Sequence, residues 1–259
     1  AVIKTYKPLT LTHVPVERGY NACNAYCHRD IIRICDSGMD RYIWLSKKQG
    51  EIKLDAPKKQ GKVANDYIKL ELIPKDEYAE LAIKIPNTVS NFENLNIPEF
   101  SECVKMAQKD FDDWNKKVNP KTELQYTASY ILWCNTVSKM GNYKDDVILC
   151  SKRVMDATWA WDNVFMALGI AKSFPEMAFY QFMIFYDNLD EFGAMADYIT
   201  PSFISRLFVK PPVHGFVYRW CMEKNPYFSD IKQIKRIYTP MKKNTMWWLN
   251  CRGEWPYTW

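Results

Sequence analysis

The sequence predicts a β-sandwich, or part of one, over residues 1–98, followed by all-α helical hairpins over residues 99–259. Three observations carry this. Ile68, Leu70 and Leu72 alternate with Lys69 and Glu71, the period of a strand with one face in water. After Pro98 the apolar period lengthens: Phe100, Cys103, Val104, Met106, Ala107, Phe111 and Trp114 fit one face of a helix. In all, six helical segments run head to tail with alternating short and long connections, as hairpins arranged in a ring.

In the β region, Ile31 to Cys35, Arg41 to Leu45, Tyr67 to Ile73 and Glu80 to Ile85 carry the β-branched and aromatic residues of strands. Turn signals at Ser37-Gly38, Gln49-Gly50 and Gln60-Gly61 separate them. The first helix is expected from Glu99 to Val118, stopped by Asn119-Pro120, and the second from about Thr122 to Ser138, giving out at Met140-Gly141-Asn142. A connection from Asn142 to Ala157 precedes the third helix, long enough to suggest a functional segment; Arg153 and Asp156 stand near its end. In the third helix Trp161, Val164, Phe165, Leu168 and Ala171 keep helical spacing, with Thr158 or Asp156 as N-cap.

A fourth helix starts at Pro175, a favourable first-turn proline, and is apolar nearly all round, as a helix buried on most sides must be. An acidic glycine turn at residues 190–197 and an irregular stretch to Val209 follow. The fifth helix begins after Pro211-Pro212 and breaks at Asn225-Pro226; the sixth runs from Ser229 to about Asn250, with a kink expected at Pro240.

Composition excludes several classes. The chain has 259 residues, enough for one large or two ordinary domains, and 47% apolar residues supply a sizeable core. The net charge of +5 comes from lysines interleaved with acids rather than a basic stripe, which argues against nucleic-acid binding. Cys23, Cys27 and His28 with Cys35 invite a zinc site, but no second pair follows at a usual spacing, so no metal or other cofactor is expected. The simpler account of the cysteines is thiols in a reducing, cytoplasmic compartment. No leader or apolar run of membrane-spanning length appears, so no membrane partner is expected; a start without Met leaves open a removed leader or an upstream region.

The chemistry-bearing stretch runs from Thr158 to His214. Asp162 lies between tryptophans in the first or second turn of its helix, where two effects compete for its ionisation. The helix N-terminus favours the carboxylate by about 0.3–1 kcal/mol. Burial against Trp159 and Trp161 favours the neutral acid, and a general acid results if burial wins. Acidic residues in the glycine turn, and Lys210 with His214 across a rigid Pro-Pro step, complete what a polyol substrate needs. Each has a plainer alternative: Asp162 as a helix-stabilising carboxylate, Asp197 as a turn cap, His214 as a structural histidine, and Trp247 and Trp248 as core.

The segments Trp159-Ala160-Trp161-Asp162-Asn163-Val164-Phe165, Glu191-Phe192-Gly193-Ala194-Met195 and Lys210-Pro211-Pro212-Val213-His214-Gly215-Phe216, in this order, resemble the catalytic domain of glycoside hydrolase family 63 and its mannosylglycerate-hydrolase-like relatives. The likeness covers about residues 100–250. It implies an (α/α)6 barrel after a β-sandwich and hydrolysis of α-glycosidic bonds with inversion, on an oligosaccharide or small glycoside. Asp162 maps to the general acid; Lys210, Pro211 and His214 map to a sugar subsite; Glu191, Gly193 and Asp197 border the same pocket. Trp159 and Trp161 would wall the sugar.

The resemblance places the general base, a Glu, in a second half of the barrel. Glu254 follows the Trp247-Trp248 helix too closely to be that residue, so the base is expected from outside this chain, on a complementary polypeptide or a C-terminal half. A non-catalytic carbohydrate-binding or assembly subunit is the competing class. A lyase or phosphorylase is a further one; phosphate handling would want an Arg or Gly cluster, and residues 158–216 offer Arg206 alone among arginines.

Overall fold

The computed structural model describes residues 1–13, 23–28, 31–36, 41–60, 64–85, 97–152, 155–254 and 257–258. The turn signal at Ser37-Gly38, Gly61 and Arg153 lie outside the described residues. The chain divides into two compact units, Ala1–Lys109 and Asp110–Trp259.

The described residues of the first unit form two antiparallel sheets. Its strands are β1 (Val2–Thr5), β2 (Leu9–His13), β3 (Cys23–His28), β4 (Ile31–Asp36), β5 (Arg41–Gln49), β6 (Glu51–Asp55), β7 (Ile68–Ile73) and β8 (Ala79–Lys84). A five-stranded sheet runs β1-β8-β5-β4-β3 and a three-stranded sheet β2-β7-β6. Alternation in β7 does what its sequence predicts: Ile68, Leu70 and Leu72 are buried and Lys69 is exposed. These three join Cys23, Ile32, Ile34, Leu45 and Leu81 of the other sheet in one apolar cluster.

Gly50 marks the step between the sheets, since β5 belongs to one and β6 to the other. Its φ of +87° suits glycine, and a Cβ there would lie 2.6 Å from the Ala79 Cβ and 2.7 Å from the Ile73 carbonyl oxygen. The register also shifts between Lys47 and Gln49. Between those residues Lys48 donates from Nζ to the carbonyls of Ile97 and Pro98, at 2.8 and 2.9 Å, and reaches Glu99 Oε1 at 3.0 Å. The same ammonium stands 3.9 Å from the buried Glu80 carboxylate.

Strand pairing also separates the cysteines. Cys35 lies opposite Asn24, so pleat alternation sets it on the face away from Cys23 and Cys27. Among the described residues no group of three His, Cys, Asp or Glu side chains could hold a metal ion.

Six α-helices follow among the described residues: α1 (Phe100–Val118), α2 (Glu123–Asn135), α3 (Ala160–Ile170), α4 (Pro175–Tyr186), α5 (His214–Lys224) and α6 (Ile231–Cys251). The division between the units falls within α1. Beyond it, Phe111 and Trp114 are buried; the Trp114 indole donates to Ser129 Oγ at 3.1 Å, and Phe111 packs edge-on against Tyr126 and Tyr130 of α2. Thr122 caps α2 by accepting from the Gln125 amide. α4 buries Phe179, Phe182, Met183, Ile184, Phe185 and Tyr186, so nearly every side of it faces protein, and it packs against α3 and α6. No described helix is long and apolar enough to cross a membrane.

Several boundaries differ from expectation. α2 stops three residues early because the β-branched Thr136 and Val137 form β9 (Thr136–Val137), paired with β10 (Val147–Ile148) inside the long connection. Thr158 does not cap α3. It lies in β11 (Thr158–Trp159), which pairs with β12 (Tyr198–Ile199), itself paired with β13 (Ile204–Ser205), and its hydroxyl donates to the Ile199 carbonyl. Ser229 ends a 3-10 turn, Pro226–Ser229, and Asp230 caps α6, which continues through Pro240. A short pair, β14 (Gly253–Glu254) with β15 (Tyr257–Thr258), ends the described chain.

Replacing Gly50 by Ala is expected to cost about 1–3 kcal/mol, the range of a strained backbone position, toward the upper end because of the clash with Ala79. Urea unfolding measures it, and a loss below about 0.5 kcal/mol, the range of ordinary surface changes, would show that the step between the sheets does not need glycine.

Candidate functional site

A buried amide pair positions the start of α3. Asn163 Oδ1 accepts the Trp159 amide at 2.8 Å, and Asn163 Nδ2 donates to the Ile148 carbonyl at 2.9 Å and to Gln181 Oε1 at 3.0 Å. Gln181 Oε1 also accepts the Ile148 amide, and its Nε2 donates to the carbonyls of Asp146 and Met177. Both side chains are fully buried, Gln181 with all four of its bonds made and Asn163 with three, so β10, α3 and α4 are held in one arrangement. Trp159, at the N-cap position, makes no side-chain cap; Asn163 does that work from inside the helix.

Asp197 is set by the small sheet. Its carbonyl accepts the Ala160 amide at 3.0 Å and its amide donates to the Ser205 carbonyl at 2.8 Å. Its side chain is 2% exposed, with Lys210 Nζ 3.1 Å from Oδ1. That contact is an ion pair without hydrogen-bond alignment, since Oδ1 has no hydrogen-bond partner. Lys210 also lies over the Trp159 ring, 5.3 Å from its centroid, and the Trp159 and Tyr198 rings stand 4.7 Å apart. Trp159, Asp197 and Lys210 are therefore in direct association.

Asp162 occupies the first turn of α3, half-buried, with Oδ2 buried and without a hydrogen-bond partner. Burial pushes its carboxyl above the usual carboxylate range, and nearby Asp197 adds to that. Its own backbone amide, the Lys210 ammonium and the Trp161 side chain pull the other way without cancelling the shift. Desolvation thus wins the competition posed by the sequence. The Cys150 thiol is pushed up to about 12 by burial and by the Asp162 charge, which leaves it a protonated neighbour rather than a nucleophile.

His214 opens α5 and is 3% exposed. It packs against the Tyr186 and Phe185 rings, at 5.6 and 6.4 Å between centroids, and neither imidazole nitrogen has a hydrogen-bond partner. With Lys210, Asn244 and Trp248 it lines an enclosed cavity of about 10 Å³, the room of roughly one water. Burial lowers its pKa to about 4, so it is neutral at physiological pH.

The predicted residues divide into two groups. Trp159, Asp162, Asp197 and Lys210 form one neighbourhood, and His214 shares a cavity wall with Lys210. Trp161, 40% exposed, flanks Asp162 from the outside. Glu191 is not drawn in: it sits exposed in the glycine turn, and the neighbouring Asp190 organises that turn instead. Asp190 Oδ1 accepts the amides of Phe192, Gly193 and Ala194. Gly193 has a φ of +101°, and a Cβ there would lie 2.7 Å from the Lys243 carbonyl oxygen of α6. Asn244 secures the approach by donating to the Gly193 carbonyl at 2.8 Å.

Asn163, Gln181, Asp190 and Ser205 were not singled out by motif reasoning. Gln181 carried a usable signal, being a lone amide in a helix apolar on all sides, where burial demands partners. The protein-family models and the curated proteins compared with this sequence include no match.

Because the folded imidazole of His214 has a lowered pKa, the unfolded chain binds the extra proton below about 6.5, and stability falls as pH drops from there toward about 4. The full loss is about 3 kcal/mol at 1.36 kcal/mol per unit. Asp162, with its raised folded pKa, contributes stability at low pH that is lost as pH rises through the folded value, opposing His214 where the windows overlap. Urea unfolding across that range should show His214→Gln lacking the acid-side loss seen in the wild type. Parallel pH profiles for the two proteins would contradict a buried neutral imidazole.

Proposed function

We propose that this chain belongs to an inverting glycoside hydrolase acting on α-linked glucosides or mannosides, with a β-sandwich ahead of the first helical hairpins of an (α/α)6 toroid. The observation that carries the reading is the Asp162 carboxyl, pushed up by burial beside the Lys210–Asp197 pair and next to a half-exposed indole. A general acid must hold its proton until the leaving oxygen takes it, and desolvation supplies that. Asp162 would protonate the leaving glycosidic oxygen, Trp159 and Trp161 would wall the sugar, and Lys210, held in place by the buried Asp197, would meet its hydroxyls.

Four of the buried polar atoms without partners, Trp159 Nε1, Asp162 Oδ2, Asp197 Oδ1 and Ser205 Oγ, belong to this one region. Orphaned donors and acceptors at a single place suit a hydroxyl-rich ligand. Support for the sandwich comes from the shared apolar cluster of the two N-terminal sheets, and for the toroid from α3 packing on both α4 and α5. His214 is too enclosed to touch a sugar and acts behind the subsite.

An inverting pair needs its second carboxylate about 6.5–9.5 Å from the first, with a water between them. Asp197 is neutralised by Lys210, so the base is assigned to a complementary polypeptide or further sequence. That same neutralisation favours the second reading, a non-catalytic carbohydrate-binding subunit.

Assayed on α-linked glucosides and mannosides, the natural protein is expected to hydrolyse substrate, and Asp162→Asn to lose about 10²–10⁴-fold in kcat while still binding. Unchanged turnover in the variant would remove Asp162 from the mechanism. Sugar binding by a wild type that hydrolyses nothing would favour the binding subunit.

A further inference from the structure

α6 buries little of itself. Ile237 and Asn244 are its buried residues, with Met241 and Trp248 half-buried on the same side. On a flank about a third of a turn round the helix from these, Ile231, Lys235, Tyr238, Lys242, Thr245 and Leu249 follow one another at alternating steps of four and three, and all six are exposed. That spacing draws a straight seam along a helix, about 27 Å long at 1.5 Å per residue, of the kind one helix presents to another. Lys242 also borders an open groove of about 350 Å³, lined further by Phe192, Met246 and Trp247 and within the size range of small-ligand pockets.

The helix is also basic throughout. It carries Lys232, Lys235, Arg236, Lys242 and Lys243 and no Asp or Glu. Arg236 pairs with Asp187 at 3.3 Å and Lys243 donates to the Asp190 carbonyl at 3.0 Å, whereas Lys235 and Lys242 have no ion pair among the described residues.

We propose that the outer seam of α6 docks an acidic amphipathic helix of a partner polypeptide. Its apolar side chains meet Ile231, Tyr238 and Leu249, its carboxylates meet Lys235 and Lys242, and one bulky side chain enters the groove where it opens beside Lys242. The charge selects this occupant. A second copy of the chain would bring two basic, carboxylate-free helices together, which like charges oppose. A lipid surface needs a continuous apolar face to sink into the acyl boundary, and Lys235, Lys242 and Thr245 interrupt this one. The inference rests on the complementary polypeptide of the proposed function and assigns its docking element.

The test is a fluorescence-anisotropy titration with two synthetic amphipathic helices of identical leucine seam, one bearing Glu and the other Lys at the positions that face Lys235 and Lys242. The acidic peptide should bind the wild-type chain and weaken as salt rises, and the basic peptide should not bind. Lys235→Glu/Lys242→Glu, both on exposed positions, should weaken the acidic peptide at least about tenfold and restore binding to the basic one. No binding of the acidic peptide, equal binding of both, or indifference to the double substitution overturns the proposal. So does preferential binding to phosphatidylserine vesicles or self-association through this face in sedimentation. Asp162→Asn leaves α6 untouched and should bind the acidic peptide normally, so the hydrolase reading and the docking reading fail in separate experiments.

Discussion

The Asn163–Gln181 amide pair is the contact on which the helical unit depends. Two fully buried polar side chains tie a two-residue strand, the first turn of α3 and the middle of α4 to each other through backbone groups. A lost partner here would strand several buried polar groups at about 1–3 kcal/mol each. Because Asn163 accepts the Trp159 amide, the pair also sets where α3 begins, and hence where Asp162 stands relative to Lys210 and Asp197. Stability and site geometry are thus enforced by the same bonds.

What the sequence revealed was what depends on local pattern. The alternation of Ile68, Leu70 and Leu72, the change of period after Pro98, the Pro175 start and the Asn225-Pro226 break all reappear in the structure, because each follows from backbone restriction or from one face being buried. What it concealed depends on distant partners. The strands of two residues at Thr136, Val147, Thr158 and Tyr198 are too short to carry a period, and Thr158 serves a sheet because Ile199 and Tyr198 arrive from forty residues away. Glu191 looked like the useful carboxylate of the glycine turn; a turn's organiser is the residue whose side chain faces inward on its amides, and that is Asp190.

The sequence-based candidates differ in the surroundings they meet. Asp162 gains the desolvated environment that a proton donor requires, and Lys210 connects it to Asp197 and Trp159. His214, expected at a sugar contact, is instead enclosed by Tyr186 and Phe185. Trp248, expected to be core, walls the same small cavity, while Trp247 faces the open groove along α6. The second helix-turn device, Asp190 with Gly193 and Asn244, fastens α6 to the segment leading into Asp197.

The account turns on the ionisation of one carboxyl. A carbon-13 NMR titration of the Asp162 side-chain carboxyl, assigned against Asp162→Asn, measures it directly. The geometry predicts a midpoint above the ordinary aspartate value of about 3.9, because burial outweighs Lys210. A midpoint at or below that value would mean that Lys210 and the helix N-terminus hold Asp162 as a permanent carboxylate, and the general-acid assignment would be wrong.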